Sequence, residues 1–187
     1  MNTILETLNI KGFDVNILAD RDAENPLAWG SATLVTAHRR YTFGGDRLPF
    51  DANSIEEAFD WHLDSKGLTR RDVIWLPVYL YDHSGLALSD TPFGDPWDSG
   101  QLGYIYERRD AIRAEYHVQR ISRKLEQSVL ARLRHTLQLL EYWANGNVYA
   151  YEIPALDEYC GGFYGWDHET SGLVEYATDA VETHLRL

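Results

Sequence analysis

An α+β fold is predicted by three features of the sequence. Short runs rich in β-branched and aromatic residues fill the N-terminal part; an apolar stripe at steps of three and four runs from Val118 to Leu140; alternating segments flank that stripe on both sides. The expected architecture is a mostly antiparallel sheet covered by one long amphipathic helix (about 117–143) and a C-terminal helix (about 171–185). A length of 187 residues suits a single domain over 1–187.

The elements follow in order. ILETLNI (4–10), FDVNILA (13–19), ATLVT (32–36) and RYTF (40–43) have strand composition, separated by Lys11-Gly12, Asn25-Pro26 and Gly44-Gly45. Ser54-Ile-Glu-Glu57 is a capping-box pattern, so a helix begins there, with Ile55, Phe59 and Leu63 as its buried stripe and Lys66-Gly67 as its stop. His62 flanks that stripe as a buried, hydrogen-bonded histidine. VIWLPVYLY from Val73 has two apolar faces, and Pro77 places it at a sheet edge or a bulge. LGYIYE (102–107) is its partner. Val118, Ile121, Leu125, Val129, Leu133, Leu137 and Leu140 form the long helix's stripe, with Arg120, Arg123, Lys124, Arg132 and Arg134 off it for ion pairing or solvation. VYAYEI (148–153) is a further strand, CGGFYG (160–165) a Gly-rich loop packed as a corner beside the Trp97 loop, and Thr170-Ser171 the cap of a final helix that buries Leu173, Ala177 and Val181.

An apolar fraction of 44% with 13% aromatics supports a folded core. Cys160 is the sole cysteine, which excludes an intrachain disulfide and suits a reducing compartment; the N-terminal residues lack a signal-peptide pattern and no apolar run is long enough to span a bilayer, so a cytoplasmic protein is expected. The net charge is −12. Between Arg71 and Arg108 stand Asp72, Asp82, Asp90, Asp95, Asp98 and Glu107 with no Lys or Arg, and between Arg134 and Arg186 nine carboxylates, again with neither. Such a field repels nucleic acid and membrane headgroups and attracts basic surfaces, or serves only as a solvated exterior.

Chemistry-bearing residues gather in YDHSG (81–85), DTPFGDPWDSGQ (90–101) and DEYCGGFYG (157–165). The 18 residues from Ser84 to Gln101 join two expected strands, with a short strand possible at LALS. Trp97 is either an anchor in the core or a surface offered to a partner, and Asp98-Ser99-Gly100 suits a turn. Adjacent strand positions face opposite ways, so Asp82, His83 and Ser84 cannot form a triad together. A nucleophilic site would draw on Asp82, His83, Asp98 and Cys160 from separate segments. A metal site would draw on Asp82, His83, Asp90, Asp95 and Asp98, although their spacing matches no recognised metal motif. No P-loop or dinucleotide fingerprint is present, and no cofactor is expected. For partner binding the candidates are Asp90, Asp95, Trp97, Asp98, Gln101, Asp157, Glu158 and Tyr164.

Taken together, YDHSG, DPWDSGQ-x-G-x-IY and CGGFYG resemble a family of small acidic proteins of bacteriophages and other mobile elements, over about 73–107 and 147–165. The resemblance implies a mobile-element setting in a host bacterial cytoplasm and carries no reaction onto particular residues. By size and charge it suggests an inhibitor of the anti-CRISPR or antirestriction type. Such a protein would bind the basic surface of a host nucleic-acid-binding complex, without contacting nucleic acid or membrane itself. A small metal-dependent or Cys/His hydrolase with its site at 82–101, and a virion or conjugation component with an apolar self-association face, are the alternatives. Oligomeric state is open.

Overall fold

The computed structural model describes residues 3–49 and 52–186. Their strands and α-helices are, in chain order, β1 (Ile4–Ile10), β2 (Phe13–Ala19), β3 (Thr33–Thr36), β4 (Asp46–Arg47), α1 (Ile55–Ser65), β5 (Val73–Asp82), β6 (Leu86–Ser89), β7 (Ser99–Arg108), α2 (Arg109–Glu115), α3 (Arg123–Ala144), β8 (Val148–Ile153), β9 (Glu158–Tyr164) and α4 (Leu173–Leu185). The fold is α+β, with the strands in two sheets rather than one. The length of 1–187 suggests one domain; the backbone packing resolves two compact units, Met1–Glu24 with Tyr142–Leu187, and Asn25–Glu141, the division falling inside α3.

The first unit holds an antiparallel sheet in the order β1-β2-β8-β9. Lys11 and Gly12 close the β1/β2 hairpin with φ of 51° and 92°, the backbone that a two-residue turn of this hand demands. Val15 and Ile17 of β2, Tyr151 and Ile153 of β8, and Phe163 of β9 bury one sheet face against Leu173, Ala177 and Val181 of α4. These three α4 residues recur every fourth position, as the sequence pattern requires. The segment expected as a Gly-rich loop is β9 itself: its glycines fall at a register shift opposite Tyr149–Tyr151, and Gly162 takes φ of 81° there. Nor does Thr170-Ser171 cap α4 in the expected way. Thr170 bonds Asp167, Gly172 turns through φ of 83°, and the helix begins at Leu173.

The second unit's sheet has the order β4-β3-β7-β5-β6, antiparallel except for the β3/β4 pair. Gly103 lets β3 approach β7, since a Cβ there would lie 1.9 Å from the Val35 carbonyl oxygen. Helix α1 begins at Ser54, whose hydroxyl accepts the Glu57 N–H; the Glu57 carboxylate reaches back to the Asn53 N–H, one residue beyond the expected partner. Phe59 of α1 stacks on Tyr104 of β7 at 4.2 Å. Pro77 sits where β5 borders β7 alone, just before both the start of β6 pairing and a register shift at Val78/Tyr79. The outer N–H of Leu88 on β6 donates to Glu141, whose burial pushes its carboxyl above the usual range.

Two further expectations are corrected. RYTF is not a strand: the His38 Nδ1 accepts the N–H groups of Arg40 and Tyr41, holding in a turn two donors that a ladder would use. The helix expected over 117–143 is two helices. Helix α2 ends with His117 at φ of 51° and the Val118 N–H bonded to Arg113 O, and α3 restarts after Ser122, which caps it through the Leu125 N–H.

Candidate functional site

The Ser84–Gln101 segment is more ordered than its length suggests. LALS forms β6 and Ser99–Gln101 belongs to β7, so the long connection shrinks to the nine residues, 90–98, that join β6 to β7. Asp95 shapes them. Its carboxylate accepts the N–H groups of Trp97 (2.8 Å) and Asp98 (3.1 Å), which holds its pKa below the usual carboxylate range, and the Ser99 hydroxyl donates to the Asp95 carbonyl. The turn expected at Asp98-Ser99-Gly100 is thus an Asp95-centred one. Trp97 is not an anchor: it is 91% exposed.

Asp98 ties the loop back twice, to the last residue of β5 and to the residue after it. Its carbonyl accepts the Asp82 N–H at 2.8 Å and its carboxylate meets the His83 Nδ1 at 2.9 Å. The Asp82 carboxylate accepts from Tyr41 Oη at 3.0 Å and faces Arg40 at 3.5 Å. Burial, then the bond to Asp82, raises the Tyr41 phenol, while burial and the Arg40 charge lower the His38 imidazole. His38, Arg40, Asp82, Trp97, Asp98 and Gln101 line a cleft of about 390 Å³.

Asp82, His83 and Asp98 are therefore brought together, Asp95 is spent on its own backbone, and Cys160 lies half-buried on β9 of the first unit. The Ser99 hydroxyl lines the same cleft with its proton committed to Asp95. Among the described residues no three His, Cys, Asp or Glu side chains are grouped to hold a metal ion. The cleft can offer two carboxylates, a guanidinium and an indole face to a ligand.

The remaining partner-binding candidates are largely engaged within their own units. Asp90 meets Arg134 at 2.7 Å, Asp157 occupies the left-handed turn before β9, Glu158 accepts from Tyr151 Oη, and the Tyr164 hydroxyl, its pKa raised to about 12 by burial, donates to Glu24 O. All six carboxylates between Arg71 and Arg108 have internal partners: Asp82, Asp90 and Glu107 face arginines, Asp98 faces His83, and Asp72 and Asp95 hold turns. Half of that segment's carboxylates are thus paired with arginines, and the other half are held by a histidine or by turn hydrogen bonds.

Comparison of the chain with protein-family models, with curated proteins and with solved structures gives no match.

The uncompensated charge lies elsewhere. The first unit carries thirteen carboxylates against three basic side chains, leaving the second unit's sixteen and fourteen near balance. Helix α4 presents Glu175 and Asp179 with no basic partner among the described residues, and Tyr159, Trp166 and Tyr176 are exposed in the same unit. Eight of the thirteen belong to the stretch before Arg186 that holds neither Lys nor Arg, and the five at 6–24 join them because the first unit is assembled from both ends of the chain.

A second cluster was not legible either. Glu107, 1% exposed at the end of β7, receives Arg132 Nε and Nη2 and the Ser31 hydroxyl, and Arg132 also reaches Glu115. These bonds raise the Arg132 pKa. Glu107 and Arg132 border a cleft of about 600 Å³ with Trp29, Glu115 and His135. Its only sequence signal is a carboxylate at the end of a strand with two apolar faces.

Proposed function

We propose that the protein is a non-catalytic binding protein whose acidic first unit docks on the basic surface of a nucleic-acid-binding protein and blocks it. The observation that carries this is the concentration of thirteen carboxylates against three basic groups in one compact unit, beside exposed aromatic residues. Carboxylates steer the encounter and aromatic side chains supply desolvated contact area, a division of labour common at inhibitory interfaces. A host restriction or CRISPR complex as target, a bacterial cytoplasmic setting and a mobile-element origin extend the resemblance of YDHSG, PWDSGQ and CGGFYG. No helix of the described residues is long and apolar enough to cross a membrane.

The test is inhibition of DNA or RNA binding by a panel of restriction and RNA-guided complexes. Inhibition is expected in about 0.1 M salt, where the screening length is about 10 Å, and is expected to fade near 1 M, where it is about 3 Å. The double charge reversal Glu175→Lys/Asp179→Lys weakens it. A panel in which no complex loses nucleic-acid binding at low salt sinks the proposal.

A further inference from the structure

We infer that the cleft beside Trp97 is a slot for an extended basic segment of a partner, which adds as a strand to the open edge of β7. Strand β3 accompanies β7 only from Gly103 to Tyr106, with one more bond from the Ala37 N–H to Leu102 O. There the chain leaves the sheet, held in the His38 turn. Ser99–Gln101 therefore has β5 on one side and no strand among the described residues on the other. Successive strand residues direct their backbone groups to alternate sides. Since the Asp98 carbonyl points to β5, Ser99 and Gln101 present theirs to the open edge. Space is available beside these residues: Ser99, Gly100 and Gln101 all line the cleft of about 390 Å³.

The side chains around this edge select the occupant. Asp82 and Asp98 line the cleft against a single permanent cation, Arg40, and each keeps one carboxylate oxygen that accepts no bond from the described residues. The fully exposed face of Trp97 stands at the rim, where a lysine or arginine stem can lie on the indole with its charge toward the carboxylates. An acidic strand would meet both carboxylates instead. Main-chain pairing with pockets for alternate side chains is an established recognition mode for such edges. The occupant's basic character rests on the proposed function; the slot itself rests on the second unit alone.

The probe is a fluorescein-labelled decapeptide of alternating Val and Lys, compared with its Val/Glu counterpart and with a Val/Lys peptide N-methylated at alternate amides. The Val/Lys peptide is expected to bind and to protect the Ser99 and Gln101 amides from hydrogen exchange. Affinity is expected to fall at least tenfold on N-methylation and at least tenfold in Trp97→Ala. Equal binding of the Val/Glu peptide, no loss on N-methylation, or protection confined to α4 overturns the slot. If the slot fails while low-salt inhibition through the first unit persists, the proposed function stands without it. Inhibition lost with peptide binding intact does the reverse.

Discussion

The Arg132 guanidinium closes on the buried Glu107 carboxylate through two bonds, Nε to Oε1 at 3.0 Å and Nη2 to Oε2 at 2.5 Å. Twenty-five positions separate the two residues, and the pair joins α3 to the end of β7. Breaking it from the arginine side strands a carboxylate in the protein interior. Arg132→Met is therefore expected to cost about 3–5 kcal/mol, and Glu107→Leu in the same chain to recover most of it, because an apolar pair has no charge to desolvate. Urea denaturation of the two variants checks this; equal stability of single and double variants would refute it.

That pair also shows where sequence reading stops. Locally encoded features were legible: the Ser54 cap, the Lys11-Gly12 hairpin turn and the Leu173, Ala177, Val181 stripe each depend on residues within a few positions of one another. Val118 and Ile121 fit the helical period of α3 yet lie outside it, because the His117 turn follows α2 and periodicity does not register a positive φ. Glycines made β9 look like a loop, whereas pairing with β8 and a local register shift accommodate them. At the site, the proximity of His83 to Asp98 was legible as a possibility. The pairing of Asp82, Glu107 and Asp90 with arginines was not, since Arg40, Arg132 and Arg134 arrive from other elements.

Acid should loosen the second unit through His62. Its Nε2 lies 3.0 Å from Tyr106 Oη in the interior, and burial, helped by the Lys66 charge and opposed by Asp46, lowers its pKa below 6.5. A base with a depressed folded pKa contributes stability that is complete above the unfolded value and declines as pH falls toward the folded one. The melting temperature is expected to drop below pH 6.5 and to level off once the folded pKa is passed. His62→Gln, which keeps a hydrogen-bonding group but does not titrate, is expected to flatten that slope; an unchanged slope would assign it to other groups.

The Trp97 loop has its own pH dependence. Backbone donors from Trp97 and Asp98 hold Asp95 ionised below its ordinary pKa of 3.8. An acid with a depressed folded pKa contributes fully above the unfolded value, and the contribution is lost as pH falls through the folded one. Amide exchange at Trp97 and Asp98 is therefore expected to be slow at neutral pH and to accelerate relative to the intrinsic rate only below about pH 3.8. Asp95→Asn, which keeps an acceptor, should preserve most of the protection at neutral pH, and Asp95→Ala should remove it.

Trp97 separates folding from binding. An indole that is 91% exposed contributes almost no packing, so Trp97→Ala is expected to leave stability within about 0.5 kcal/mol of the parent. Phe59→Ala, by contrast, removes a ring with no exposed surface, stacked on Tyr104, and should cost about 3–5 kcal/mol. Acrylamide quenching should decline in Trp97→Ala more than in any other single tryptophan variant, since Trp29, Trp61 and Trp166 are less exposed. Asp95 and Ser99 hold a defined turn around this side chain, and the turn leaves it outside the core. A large apolar surface kept in water by specific bonds has a physical rationale when something else covers it. A stability loss of several kcal/mol in Trp97→Ala would place the indole in the core and remove that rationale along with the slot at β7.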